Sequence, residues 1–356
     1  MKDAPAPFLG MKAVYSFVFP EVRAAISDFE GALDPALLRT STPAAALREF
    51  VARHVAPDLA VPATPAGHAD LDAIHAPITD LVVRRVAPYA PGLPDFGFRY
   101  PTAGSSEALF HMLARLANSG IRRIRVLAGE YEGFGIQAAN LGLGCETYTL
   151  DRGNRDLAHY TAATPADDAV WFVSNPSARN GDILPDLLTL ALAEKGHKIV
   201  LDLAYLGSTA PTQIDVSHPN VIAVAMSLSK PYGLFRWRIG YLFSRSEVPS
   251  LYGSRWFFDV GRHLLGAKVL TEIGPAALQP RYAGAQDAIC RSLREAGIPL
   301  MPSDALLLAE MPAAALAACG PDTRAMLAPF ARADHVRVCL TPYFEAMVDS
   351  RDARLP

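Results

Sequence analysis

Long apolar runs are missing from this 356-residue sequence. Hydrophobic residues make up 51% of it and mean hydropathy is +0.16, yet no uninterrupted stretch approaches the ~18 residues of a membrane-spanning helix. Cysteine is scarce. Cys145, Cys290, Cys319 and Cys339 lie far apart, with no C-x-x-C pair. That spacing suggests neither a zinc site nor a disulfide framework, and the expectation is four buried thiols in a reducing compartment. An excess of one charge is also absent: 33 basic residues face 36 acidic ones, for a net charge of −3. That balance argues against nucleic acid as the main partner, because phosphate binding needs a basic face. The opening MKDAPAPFLGMK has no apolar core of the kind a secretory leader carries. No G-x-G-x-x-G follows the first strand of the chain, which argues against a dinucleotide-binding enzyme. Internal repeats and low-complexity linkers are missing too. The expectation is a soluble cytoplasmic protein with no membrane or nucleic-acid partner and no metal.

The length fits roughly two domains at about 150 residues each, ample for a buried core. The first 95 residues are rich in alanine and proline, with helical patterns over 43–55 and 77–88. From about residue 100, helical stretches alternate with short β-rich runs. RRIRVLAG (122–129), CETYTL (145–150), VWFVS (170–174), HKIVLDLA (197–204), VIAVAMS (221–227) and RIGYLFS (238–244) read as strands, with helices at 105–118, 133–142 and 185–195 between them. Alternation of this kind predicts an α/β fold with a mostly parallel sheet sandwiched by helices, and VWFVS, KIVLDLA and VIAVAMS are apolar throughout, as central parallel strands should be. After about 256 the chain turns helical again with a few strands, including 335–341. The expected division is an N-terminal segment at 1–95, forming part of a small domain or a dimer arm, a large domain at 96–255, and a smaller α+β domain at 256–356.

Chemistry concentrates in Ser227-Leu-Ser229-Lys230-Pro-Tyr-Gly-Leu-Phe-Arg-Trp-Arg238-Ile-Gly. A lysine at the end of a buried strand is costly without a partner or chemical work. Schiff-base formation provides such work. Ser227, Ser229 and Arg238 suit a phosphate, since hydroxyls donate hydrogen bonds and a guanidinium binds phosphate oxygens in bidentate fashion. Asp202-Leu-Ala-Tyr205 closes the strand KIVLDLA, where ligands of open α/β sheets bind. Gly104-Ser105-Ser106-Glu107-Ala-Leu reads as a turn opening a helix, whose free N–H groups favour a phosphate, although serine and glutamate there are also ordinary helix grammar.

The motif Ser-x-Ser-Lys-(x)7-Arg-x-Gly resembles the lysine motif of fold-type I pyridoxal phosphate enzymes, the aspartate aminotransferase superfamily. Asp202-Leu-Ala-Tyr205 is similar to that family's D-x-A-Y, and Gly104–Leu109 to its G-x-x-E-A-L. The resemblance covers roughly residues 100–245, and less securely 335–341. It implies pyridoxal 5'-phosphate as cofactor, with Lys230 as the Schiff-base lysine, Asp202 on the pyridine nitrogen and Tyr205 on the phenolic oxygen. Gly104, Ser105, Ser106, Ser227, Ser229 and Arg238 would hold the phosphate. Tyr131, in Glu130-Tyr131-Glu132-Gly133-Phe134, matches the aromatic that stacks on the ring. Arg337 in His335-Val-Arg337-Val-Cys-Leu matches the arginine for the substrate carboxylate, a planar fork suited to bidentate recognition. One segment departs from the pattern. Asn175-Pro-Ser-Ala178-Arg-Asn180-Gly stands where the family has N-P-x-N-P-T-G, and end-to-end alignment puts Ala178 at the second asparagine. Asn175, closest to the strand end, is the candidate for the phenolic oxygen, with Asn180 second.

The resemblance further implies a homodimer with active sites at the interface and a neighbouring tyrosine on the phosphate, for which Tyr89 is a guess. The implied reaction is transamination between an amino acid and a 2-oxo acid. The alternative is a specialised lyase, cyclase or oxidase of natural-product biosynthesis, for example on an arginine-like substrate, because the same residues serve several reactions.

Overall fold

The computed structural model describes residues 17–149, 168–256 and 259–352; the leader reading at residues 1–12 falls outside them. The apolar runs fold as expected. Strands β1 (Phe98–Thr102), β2 (Arg123–Leu127), β3 (Gly144–Tyr148), β4 (Val170–Ser174), β5 (Lys198–Leu203), β6 (Val221–Ser227) and β7 (Gly240–Ser244) form one sheet in the order β1-β7-β6-β5-β4-β2-β3. Neighbours among β2 to β6 pair in parallel, while β7 runs antiparallel to both β6 and β1. Side chains along a strand alternate between faces, and each face has its own core. Trp171, Val173, Ile199, Leu201, Val224 and Met226 join one cluster. Val170, Phe172, Val200, Ala223 and Ala225 join the other.

Helices α1 (Pro20–Ala32), α2 (Ala44–His54) and α3 (His75–Val86) come from the N-terminal segment. Helix α4 (Ser105–Asn118) buries Ala108, Leu109, Met112, Leu113 and Leu116, the i, i+1, i+4, i+5, i+8 stripe of an amphipathic helix. It covers the second core with α5 (Gly133–Asn140). Helix α6 (Asp186–Glu194) precedes β5, and α7 (Val260–Glu272) packs against α1 and α3. Within that contact Lys268 is buried and neutralised, its Nζ lying 2.7 Å from Asp28 Oδ2 and 2.5 Å from Glu272 Oε1.

A second sheet is antiparallel, in the order β10 (Ala331–Arg332), β11 (His335–Cys339), β9 (Leu308–Pro312), β8 (Met301–Pro302). It is framed by α8 (Gln279–Glu295), α9 (Pro321–Leu327) and α10 (Thr341–Asp352). The buried amide of Gln286 on α8 reaches the carbonyls of Ser303, Ala305 and Leu308 and so pins the loop between β8 and β9. Phe17 and Phe19 pack on Phe344 of α10, which brings the two ends of the described chain together.

Two expectations need correction. The sequence reading lacks β1, because FRYPT carries a proline; the strand sits at the sheet's edge, where a missing N–H is tolerated. The thiols are all free, but not all buried. Cys145 is exposed because it lies on the edge strand β3, and Cys339 is half-buried. Among the described residues no helix is long and apolar enough to cross a membrane, and no group of ligands suits a metal.

Candidate active site

A cavity of about 940 Å³ opens between the carboxyl ends of the large sheet's strands and the small sheet. Three adjacent strand ends build its floor. Ser174 of β4 is level with Asp202 of β5, and Asp202 with Ala225 of β6. Asp202 therefore emerges beside the loop that carries Lys230. The Lys230 ammonium sits 3.7 Å above the centre of the Tyr205 ring, a cation–π contact. Asp202 is buried, and its Oδ1 accepts the Ala204 N–H at 3.1 Å. Burial pushes this carboxyl above the usual range, while Lys230, the Ala204 N–H and the Ser105 hydroxyl pull it back. A buried acid held in this balance gains from a cationic partner in the cavity.

One side of the floor is a cup for an anion. The Ser227 hydroxyl accepts the Ser229 N–H at 3.1 Å and thereby tightens the turn before Lys230. The Ser229 hydroxyl is buried, lines the cavity and has no hydrogen-bond partner in the structure, so a ligand oxygen would relieve it. Arg238 donates to the Ala103 carbonyl at 2.9 Å. Two glycines allow this approach. Gly104 has φ +87, and a Cβ there would lie 2.5 Å from the Arg238 guanidinium. A Cβ on Gly240 would lie 2.5 Å from the Gly104 backbone. Ser105 and Ser106 follow at the start of the 14-residue helix α4, where free N–H groups and the dipole favour an anion. Tyr131 reaches over this side, its hydroxyl 3.0 Å from that of Ser106 and its ring edge-on to Phe134.

The opposite wall belongs to the small sheet. Arg337 of β11 projects into the cavity, donates to the Ala178 carbonyl and lies 3.3 Å from the Tyr205 hydroxyl. The structure thus gathers Ser105, Ser106, Tyr131, Asp202, Tyr205, Ser227, Ser229, Lys230, Arg238 and Arg337 around one space, with Gly104 directly behind the arginine.

Asn175 is not brought there. Its amide is committed to a backbone pair, donating to the Leu184 carbonyl at 3.2 Å and accepting the Leu184 N–H at 3.0 Å. Asn180 turns to Asp182 at 2.5 Å. The strand-end position of Asn175 therefore closes the loop 175–184 on itself, and Ala178 is the residue of that loop which lines the cavity. Tyr89 packs against the core of its own chain.

Several lining residues have no role assigned from the sequence: Phe235, Leu308, Met326, Phe330 and Cys339 form apolar wall, and Arg332 pairs with Glu132 across the mouth at 2.9 Å. Glu132 stands next to Tyr131 and could have been suspected from that segment. The stretch 325–332 offers no comparable signal. Behind Ala178, the buried Glu130 accepts the Ser177 hydroxyl at 2.5 Å and the Ala178 N–H at 3.1 Å. Burial holds its carboxyl above the ordinary range.

Lysine, aspartate and tyrosine at adjacent strand ends, beside a serine–arginine cup at a helix start, bring together the motifs by which the sequence resembles fold-type I pyridoxal phosphate enzymes. Residues 101–271 match the family described as aminotransferase class I and II. An aromatic amino acid aminotransferase from Mycobacterium sp. (strain KMS) is 25% identical over 211 residues, covering 56% of this chain and 59% of that protein. The chain is thus matched over less than two thirds of that relative's length. Among solved structures, N-succinyldiaminopimelate aminotransferase from Mycobacterium tuberculosis aligns with a TM-score of 0.64 at 16% identity, over 94% of this chain and 88% of that one. A pyridoxal phosphate-bound C–S lyase from Staphylococcus hominis aligns with a TM-score of 0.63 at 10% identity, over 92% and 85%. Pyridoxal 5'-phosphate fits the residues present: the orphaned Ser229 hydroxyl and the glycine-cleared Arg238 offer an anion cup, and buried Asp202 awaits a cation.

Proposed function

We propose that the protein is a pyridoxal phosphate-dependent aminotransferase that moves an amino group between an amino acid and a 2-oxo acid, with a bulky apolar side chain preferred. The observation that carries this reading is Lys230 poised over Tyr205 beside buried Asp202 in a single cavity. Arg238, Ser227, Ser229, Ser105 and Ser106 would hold the cofactor phosphate with Gly104 giving room, Tyr131 would cover the ring, and Tyr205 would meet the phenolic oxygen. The bound cofactor supplies an electron sink for the electrons left when a bond at the substrate Cα breaks. Asp202 keeps a proton on the ring nitrogen by charge pairing. The Lys230 amine removes the proton from the substrate Cα and delivers one on the same face, a role worth about 10²–10⁴ in rate. Arg337 binds the substrate carboxylate as a planar fork, which fixes the Cα–H bond relative to Lys230.

The preference for a bulky apolar side chain rests on Phe235, Met326 and Phe330 in the cavity lining and accords with the name of the mycobacterial relative. We assign the same division of labour to the chain as a whole. Residues 96–255 would form the cofactor-binding domain and 256–356 the smaller one, with the N-terminal segment 1–95 as part of the small domain or a dimer arm. A cytoplasmic homodimer completes the proposal; four free thiols support a reducing compartment. Light scattering on the purified protein measures the assembly, and a monomer mass would contradict it.

Nitrogen tracing tests the activity. The holoenzyme is incubated with ¹⁵N-phenylalanine and a 2-oxo acid. Label is expected in the amino acid formed from the oxo acid. Release of the label as ammonia, with no labelled amino acid, would overturn the aminotransferase reading.

A further inference from the structure

Of loop 175–181, which departs from the family pattern, Ala178 is the residue that lines the cavity. The Ala178 side chain is a methyl group. Its N–H goes to Glu130 Oε2 at 3.1 Å, and its carbonyl accepts from Arg337. The preceding Ser177 hydroxyl donates to Glu130 Oε1 at 2.5 Å. Asn175 spends its amide on Leu184 and Asn180 on Asp182. Glu130 is the reason the loop is so committed: a buried carboxyl must be satisfied by hydrogen bonds, and here the loop supplies them. Tyr205 packs in the same buried cluster as Ala178, under Lys230 and 3.3 Å from Arg337.

We infer that the phenolic oxygen of the cofactor is held in this protein by Tyr205, with Arg337 behind it, and that loop 175–181 contributes no donor. The inference rests on the cofactor assignment but not on the reaction. Its consequence is a high titration point for the cofactor–lysine linkage. External donors to the phenolate matter most when the linkage nitrogen has lost its proton, because the internal N–H then no longer satisfies the oxygen. Donors therefore favour the deprotonated form and lower the pH at which the proton leaves. A protein with one donor in place of two retains the proton to higher pH. Glu130 is then a positioning residue that acts through the loop backbone.

The test is a pH titration of the visible spectrum of the purified holoenzyme without substrate, in the wild type and in Ala178→Asn, Tyr205→Phe and Asn180→Ala. Ala178→Asn restores a side-chain amide at the cavity wall and is expected to lower the midpoint by about one pH unit, the scale of one hydrogen bond to a charged group. Tyr205→Phe is expected to raise it by a similar amount, and Asn180→Ala to leave it unchanged. A raised midpoint in Asn180→Ala, or an unchanged one in both Tyr205→Phe and Ala178→Asn, would overturn the inference. A wild type with no visible band after reconstitution would remove the cofactor assignment itself. A titration as expected in a protein that fails the nitrogen transfer would leave this inference standing and remove only the aminotransferase reading.

Discussion

The large sheet lends the cavity Asp202, Tyr205, Ser227, Ser229 and Lys230, each at or just beyond the end of a strand buried on both faces. The small-sheet side lends it Leu308, Met326, Phe330, Arg332, Arg337 and Cys339, on short strands and short helices. A strand held by neighbours on both edges fixes its end rigidly, which suits groups that act on bonds. A four-stranded sheet packed over the cavity mouth holds its side chains less stiffly and suits recognition of variable substrate parts. In this reading the floor determines whether turnover occurs, and the roof determines what is turned over.

Substitutions on the two sides break or sharpen that contrast. Lys230→Ala has the largest expected effect, a loss of kcat of about 10⁴ or more, since both the covalent attachment and the proton carrier disappear. Single-turnover measurements check it, and retention of a tenth of the activity would contradict the floor's role. Asp202→Ala is expected next, with weaker cofactor binding and turnover reduced by about 10²–10³ through loss of the buried charge partner; equilibrium dialysis and kcat read the two effects. On the roof, Arg337→Lys should raise KM for the amino acid by about 10–100-fold, the worth of a charge-assisted fork, with a smaller change in kcat. Phe330→Ala should raise KM about 5–20-fold for phenylalanine and little for alanine, because the apolar area it buries serves only a large side chain.

The smallest effect concerns the seam between the two regions. Asp182 accepts the Asp304 N–H at 3.2 Å, and Asp304 in turn accepts the Ile183 N–H at 2.9 Å. Burial raises the Asp182 carboxyl to about 6, with Asp304 and Glu310 adding to the rise and His335 opposing it. A carboxyl whose folded value lies above its unfolded value disfavours the fold once ionised. Stability should therefore fall as pH rises from about 4 to about 6. Asp182→Asn is expected to flatten that slope in denaturant melts recorded across the interval; an unchanged slope would exclude the group.

Much of the floor was legible in the sequence because it is contiguous. Ser227, Ser229, Lys230 and Arg238 lie within twelve residues, and Asp202 and Tyr205 within four. The strands beneath them announce themselves as apolar runs, since parallel strands are buried on both faces. The roof was legible only at Arg337. Met326 and Phe330 read as ordinary apolar residues, and their role depends on how the small sheet sits over the large one, a relation no local pattern encodes. Asn175 misled for a related reason. Its place at a strand end is correct, but its amide is claimed by Leu184, nine residues later, through a loop closure that spacing alone does not reveal. Pro101 concealed β1 in the same way, because an edge position becomes known only with the sheet order.

The central claim is that Lys230 carries the cofactor covalently. It is tested most directly by borohydride reduction of the holoenzyme, followed by proteolysis and mass spectrometry. The expected result is a single phosphopyridoxyl increment on the peptide containing Lys230; an increment on a different lysine, with Lys230 unmodified, would contradict it.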